Sequence, residues 1–190
     1  MTVFDREHYL QTELDKFLIE ELGCPPGEYA SRMDLDALMK LKRVVAGVNN
    51  LLTMKLTMRL IDWLEENGVL SNSNAELERK FQRANKPNTN GFDLECGKVI
   101  AEVKCNVPVA GNRYGAAQRN SIIKDIQALT QGKSKTAVDV TGKLKFLAVN
   151  DSDGVRASMQ ALSRSSGVST ELLHEAKAFD RTDVVYVVYL

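Results

Sequence analysis

The sequence predicts an α/β fold, in which helices flank a central mixed β-sheet and a helical region comes first. Three observations support this prediction. Residues 5–66 carry apolar side chains at helical spacing. From residue 92 onward, short segments rich in valine and isoleucine alternate with stretches of helical periodicity. The chain ends in the apolar run 184–190, which is typical of a buried strand.

The helical region contains two predicted helices. The first covers residues 5–22 and ends before the helix-breaking segment 24–27, Cys-Pro-Pro-Gly. The second runs from about residue 34 to residue 66, with Gly68 as its stop signal and a bend or a break near Gly47. Its apolar side chains cover a broad face, which fits either a buried core or a helical dimer surface. We expect a homodimer, because this face is wider than one helix pair needs.

The remainder of the chain is predicted to form the sheet and its helices. We therefore divide the chain into a helical N-terminal region, 1–70, with a possible role in dimerisation, and a core, 71–190. A capping box of Ser73 and Glu76 predicts that a short helix begins there. The predicted elements of the core are a helix at 74–84, strands at 92–96 and 99–105, a helix at 116–131, a strand at 144–149, helical stretches at 155–164 and 170–178, and a strand at 184–190.

Composition limits the classes of function. Lysine plus arginine equal aspartate plus glutamate, 25 each, so any contact with nucleic acid has to come from a local basic patch. The three cysteines match no zinc-binding pattern and favour a reducing compartment. Asp5, Arg6 and Glu7 stand where a signal peptide has its apolar stretch, and no apolar run is long enough to span a bilayer. We expect a cytoplasmic protein without a membrane partner.

The segment 91–104 predicts a β-hairpin with two carboxylates and a lysine on one face. Gly97 and Lys98 suit a two-residue turn of the type II′ class. That turn sets the register, which places Asp93 directly opposite Glu102, with Lys104 two residues further along the same face. The opposite face is then predicted to carry the apolar side chains of Phe92, Leu94, Ala101 and Val103.

Two carboxylates directly opposite each other repel, so a protein that keeps them has to offset the repulsion. A divalent cation with oxygen ligands does so, and magnesium is commonly held by one or two carboxylates and water. The alternative is an ordinary solvated strand face with a salt bridge to Lys104. The strand around Glu102 is otherwise apolar, which favours the functional interpretation.

Asp93 followed after eight residues by Glu102-Val103-Lys104 resembles the signature of the PD-(D/E)XK, or restriction-endonuclease-like, nucleases. The predicted order of a helix, a motif-bearing hairpin, a helix and a strand is similar to the α-β-β-β-α-β core of that family. The resemblance covers about residues 74–150. This chain has Phe92 where the name-giving signature has proline.

The resemblance implies magnesium-dependent hydrolysis of a phosphodiester bond. Asp93 and Glu102 would hold Mg²⁺, and Lys104 would orient the attacking water. Many members of the family add an acidic residue from the preceding helix. Glu78 is the candidate here, because Glu76 already has a role in the capping box.

Positive and polar side chains follow the motif and could contact the phosphates of DNA, or could be scattered surface residues. Gln118 occupies the start of the next helix, where the family often has a polar residue. A tyrosine four residues later marks the recombination-type branch, and this chain has Ile122 there. The candidates for nucleic-acid contact are Arg113, Gln118, Arg119, Lys124, Lys133 and Lys135.

The first functional hypothesis is a DNA endonuclease similar to type II restriction enzymes. The second is a structure-specific nuclease of repair or recombination, such as a junction resolvase. The third is a non-catalytic nucleic-acid-binding protein that keeps the fold; an intact set of Asp93, Glu102 and Lys104 argues against it.

Overall fold

The structure is a computed structural model of the 190-residue chain. It describes residues 3–70, 91–109, 113–136, 138–164, 173–175 and 178–190. The helices are α1 (Val3–Glu20), a 3₁₀ helix (Ala30–Arg32), α2 (Leu35–Glu66), α3 (Ala116–Gln131) and α4 (Asp153–Ser163). The strands are β1 (Leu94–Cys96), β2 (Val99–Lys104), β3 (Leu144–Val149), β4 (Leu173–Glu175) and β5 (Val185–Tyr189).

Contacts divide the chain into two compact units, Met1–Val48 and Asn49–Leu190. The division falls inside α2, and the sequence had placed it near residue 70. In the first unit, Asp15 of α1 joins the helix to the segment that follows it. Its Oδ1 accepts the backbone N–H groups of Tyr29 at 2.9 Å and Ala30 at 2.7 Å. One carboxylate thereby satisfies two backbone donors at the start of the 3₁₀ helix.

The long helix α2 is continuous through Gly47, so the predicted break at that position is wrong. One glycine costs a helix only about 1 kcal/mol, which the neighbouring turns offset. The predicted stop is confirmed. Gly68 has a φ of 69°, and the carbonyl oxygen of Leu64 accepts the N–H of Val69 at 2.8 Å. A residue with positive φ allows the chain to turn back and satisfy the last carbonyls of the helix.

The second unit contains a five-stranded mixed sheet in the order β1-β2-β3-β5-β4. The hairpin partner β1 is antiparallel to β2, whereas the pairs β2–β3, β3–β5 and β4–β5 are parallel. The first parallel connection crosses over through α3 and the second through α4. The predicted α/β class and mixed sheet are therefore confirmed.

Helices cover both faces of this sheet. The last turns of α2 supply Leu56, Leu60 and Leu64 to a core with Phe146 and Tyr186. On the opposite face, α3 and α4 pack onto alternate residues of the same strands. This second core includes Ile122, Ile126, Val155, Met159, Ile100, Leu147 and Val187. Successive strand residues point to opposite faces, and both faces are covered, which explains why the central strands are largely apolar.

The structure corrects one predicted element and leaves another untested. The segment 170–178 was predicted to be helical, but residues Leu173–Glu175 form β4 and pair in parallel with β5. Pairing with a neighbouring strand outweighs the local helical spacing. The predicted helix at 74–84 lies outside the described residues. The described part contains two strands before α3, and the α-β-β-β-α-β core has three at that point.

Candidate active site

The hairpin forms in the predicted register. Leu94 pairs with Ala101, Glu95 with Ile100 and Cys96 with Val99, which leaves Gly97 and Lys98 as the turn. Gly97 has a φ of 54°, in the left-handed region that a tight hairpin turn requires at this position. The turn thus fixes which side chains of β2 face the same way as Asp93.

Asp93 lies directly before β1, where the next pair in the register would be Asp93 and Glu102. Its Oδ2 accepts the backbone N–H of Val103 at 2.8 Å. The charge of Asp93 contributes to a raised pKa of Glu102, so the two carboxylates are electrostatic neighbours. The Asp93 carboxylate therefore serves as a backbone acceptor and as part of an acidic pair.

Glu102 is a buried carboxyl group in the middle of β2, with only 3% of its surface exposed. Burial and, to a smaller extent, the charge of Asp93 raise its pKa to about 8, although the contact with Lys133 acts in the opposite direction. Burial penalises the charged form of a carboxyl group unless cations compensate for the charge. The charged form of Glu102 therefore depends on the cation in contact with it.

Lys104 forms an ion pair with Asp125 of α3, with Nζ and Oδ2 2.7 Å apart. Burial by itself lowers the pKa of Lys104. The charge of Asp125, its contact with the ammonium group and the charges of Glu102 and Asp93 outweigh that effect and raise the pKa above 10.5. The lysine side chain is thus held charged on the α3 face of the sheet, beside the acidic pair.

Lys133 approaches the pair from the loop after α3. Its Nζ is 2.5 Å from Oε1 of Glu102, donates to the carbonyl oxygen of Gly91 at 2.6 Å and lies 4.9 Å above the ring centroid of Phe92. The sequence had placed Lys133 among the candidates for nucleic-acid contact. In the structure its ammonium group is directed inward and is the cation in contact with Glu102.

The predicted apolar face of the hairpin is correct for Leu94, Ala101 and Val103, which pack on the α2 side of the sheet. It is wrong for Phe92, which packs with Ile100 on the α3 side. The strand ladder begins at Leu94, so strict alternation of side chains does not constrain Phe92. Its ring instead lies beneath the ammonium group of Lys133, with the ring centroid 4.9 Å from Nζ.

The other candidates for nucleic-acid contact lie along α3 and its flanks. The amide of Gln118 binds backbone groups at both ends: Oε1 accepts from Gly115 N at 3.0 Å, and Nε2 donates to the carbonyl oxygen of Val107 at 2.8 Å. This amide therefore anchors the start of α3. Arg113 and Arg119 are exposed and line a cavity of about 180 Å³ between α3 and α4. Lys124 and Lys135 are exposed.

Asp125 is a site residue that sequence reasoning missed. It lies on the buried side of α3, between Ile122 and Ile126. A charged residue within an apolar helical stripe was the available signal. The carbonyl oxygen of Gly91 had no comparable signal. The predicted helical acidic residue, Glu78, and its alternative, Glu76, lie outside the described residues.

The implied Mg²⁺ can be tested against the donors around Glu102. Among the described residues, no group of three or more histidine, cysteine or acidic side chains is arranged to hold a metal ion. Glu102 Oε1 and the carbonyl oxygen of Gly91 nevertheless both contact the Lys133 ammonium group, and the charge of Asp93 acts on Glu102. This oxygen-rich set fits magnesium, which uses one or two carboxylates and retains several waters.

Comparisons with protein-family models, with curated proteins and with solved structures give no match to this chain. Across the described residues, no helix combines the length and apolarity needed to cross a membrane.

Proposed function

We propose that the chain is a magnesium-dependent endonuclease that hydrolyses phosphodiester bonds in DNA, similar to type II restriction enzymes. The observation that carries the proposal is the buried carboxyl group of Glu102 in an apolar strand, with the charge of Asp93 beside it and Lys104 on the same face. Strongly perturbed carboxyl groups that share a site with a positioned lysine are more common in active sites than on solvated surfaces. A structure-specific nuclease would use the same residues.

Each side chain has a distinct role in this proposal. Asp93 and Glu102 would hold Mg²⁺, which supplies stabilisation of the negative charge that develops on phosphate. Lys104, held by Asp125 at 2.7 Å, keeps a fixed position from which its ammonium group orients water or a phosphate oxygen. The hydrogen bond from Val103 N fixes the Asp93 carboxylate relative to β2. The contacts of the chain thereby preorganise the charges before substrate arrives.

One observation favours the non-catalytic alternative. Glu102 and Lys104 already have partners of opposite charge, because Lys133 contacts Glu102 and Asp125 contacts Lys104. Glu102 is in addition only 3% exposed. Buried ion pairs of this kind also occur as purely structural features. In that case the protein binds nucleic acid or another chain without cleaving it, and the acidic pair has no metal.

Cleavage of supercoiled plasmid DNA with Mg²⁺ tests the proposal. Wild type is expected to cut, and Asp93→Asn and Lys104→Met are expected to lose at least about 100-fold in rate, as removal of a group that stabilises transition-state charge does. Glu95→Gln is the matched control. Glu95 lies in the same hairpin, but its carboxylate is partly exposed and paired with Lys143 at 3.3 Å.

The result distinguishes the alternatives. Discrete fragments support a sequence-specific endonuclease, whereas cutting confined to branched DNA supports the repair nuclease. Binding of DNA without magnesium-dependent cleavage of any DNA substrate supports the non-catalytic alternative and overturns the proposal.

A further inference from the structure

The surroundings of the Lys133 ammonium group form a cation site. Its Nζ lies 2.5 Å from Glu102 Oε1 and 2.6 Å from the carbonyl oxygen of Gly91, and the face of the Phe92 ring is 4.9 Å away. A carboxylate, a carbonyl and an aromatic face are the groups that attract a positive charge. The chain therefore places its own cation at one defined position against Glu102.

The neighbouring charges show why this position needs a cation. The charges of Asp93 and Asp125 both act on Glu102, and all three carboxylates act on Lys104. Lys104 is already engaged by Asp125 at 2.7 Å, which leaves Lys133 as the cation in contact with Glu102 in the described part of the chain. Holding a lysine there costs side-chain entropy and some hydration of the ammonium group. The contact with Lys133 in turn favours the charged form of Glu102, since it lowers the pKa of that carboxyl group.

We propose that Lys133 is a built-in counter-cation that occupies the metal position until a divalent cation displaces it. The cation then takes the Glu102 carboxylate and the Gly91 carbonyl as oxygen ligands. This inference rests on the proposed function to the extent that a divalent cation binds beside Glu102. It adds a ligand, the Gly91 carbonyl, and a residue that competes with the metal.

The geometry requires competition between the two cations. Divalent metals bind oxygen at about 2.0 to 2.6 Å, so a metal between the same two oxygens needs the position that the ammonium group now fills. Two positive charges cannot share it. Lys133 is in the loop after α3 and its side chain is 24% exposed, so the displaced ammonium group has a path to solvent. Once displaced, it becomes available to contact a phosphate.

Isothermal titration with Mg²⁺ or Mn²⁺ alone, without DNA, tests this competition. Lys133→Met keeps a long unbranched side chain and removes the charge, and it is expected to bind the metal about tenfold more tightly than wild type. Lys135→Met is the matched control. Lys135 is an exposed lysine of the same loop, so its variant is expected to bind within about twofold of wild type.

A measurement on the wild-type protein provides a test that does not depend on the folding of a variant. An amine-reactive ester labels accessible lysines, and mass spectrometry quantifies each site. Saturating Mg²⁺ is expected to increase the labelling of Lys133 severalfold, because its ammonium group leaves Glu102, and to leave Lys135 unchanged.

The outcomes separate this inference from the proposed function. Tighter metal binding by Lys133→Met with increased labelling of Lys133 supports the inference. If wild type binds Mg²⁺ but Lys133→Met binds no more tightly and labelling is constant, the inference is overturned and the metal-dependent function survives. If neither protein binds a divalent cation at millimolar concentration and labelling is constant, both are overturned, and the Lys133 contact is structural.

Discussion

At the scale of single residues, Glu102 couples protonation to folding. Its pKa of about 8 in the folded chain lies above the ordinary value of 4.5, because burial penalises the charged form. The folded state therefore keeps a proton that the unfolded state releases. This contribution to stability is fully present below about pH 4.5 and is lost as the pH rises through about 8, with a slope of at most about 1.4 kcal/mol per pH unit.

Glu102→Gln is therefore expected to flatten the dependence of stability on pH. Glutamine resembles the protonated carboxyl group and does not ionise, so the free energy of unfolding in chelator should fall less between about pH 5 and about pH 9 than in wild type. Urea denaturation across that range measures the slope. Glu95→Gln, at a partly exposed position of the same hairpin, should keep the wild-type slope. Equal slopes in wild type and Glu102→Gln would contradict the burial argument.

Asp93 has two effects on stability of opposite sign, and two substitutions separate them. Asp93→Asn keeps an oxygen that can accept the N–H of Val103 and removes the repulsion with Glu102. In chelator its free energy of unfolding should therefore exceed that of wild type by about 1 kcal/mol or less. Asp93→Ala leaves the Val103 N–H without this acceptor, and its free energy of unfolding should be about 1 to 2 kcal/mol below that of wild type. Thermal melts rank the three proteins, and an alanine variant as stable as the asparagine variant would argue against the hydrogen bond.

Magnesium should reverse the order of wild type and Asp93→Asn. Ligand binding stabilises a folded protein by mass action. The melting temperature of wild type should therefore rise on addition of Mg²⁺, and that of the variant should rise much less. The same melts repeated with magnesium measure the difference. An equal response in both proteins would exclude Asp93 as a metal ligand.

At the scale of elements, the hairpin turn determines where the acidic pair lies. Gly97 has a φ of 54°, which any residue with a Cβ adopts at a cost of about 1 to 2 kcal/mol. Gly97→Ala is therefore expected to destabilise the protein by about that amount in chemical denaturation. Gly47→Ala is the contrasting variant: it lies within the continuous helix α2, no atom lies near its added Cβ, and it should stabilise by up to about 1 kcal/mol. The same sign for both would contradict these backbone assignments.

At the scale of the whole molecule, the N-terminal helices expose many apolar side chains. Phe4 is 81% exposed and Val44 is 64% exposed, and other large apolar residues of α1 and α2 are similar. Exposed apolar area of this extent favours association, at roughly 25 cal/mol for each Å² removed from water. We therefore propose that two copies of the chain associate through these helices.

Light scattering at micromolar concentration is expected to give the mass of a homodimer. Val44→Lys places a charge within the proposed surface and should shift the protein towards the monomer. Val109→Lys is the control, because Val109 is 58% exposed and pairs with Arg113 after β2, outside α1 and α2. A monomeric wild type, or equal dissociation by both variants, would contradict this interface.

The sequence by itself determined the features that depend on residues close together in the chain. The register of β1 and β2 follows from a two-residue turn and the alternation of neighbouring residues, and Gly68 ends α2 through its backbone conformation. Periodicity likewise predicted α3 and α4 to within two residues at each end. These features depend on contacts between residues close in the chain, which a sequence pattern records directly.

The tertiary structure alone decided the state of the site. Asp125 and Lys133 reach Lys104 and Glu102 because α3 packs across the sheet, and the carbonyl of Gly91 joins them from before the hairpin. Long-range pairing also made Leu173–Glu175 a strand. Contacts between distant residues depend on how elements pack, and burial changes the energy of each charge in a way that local spacing does not record.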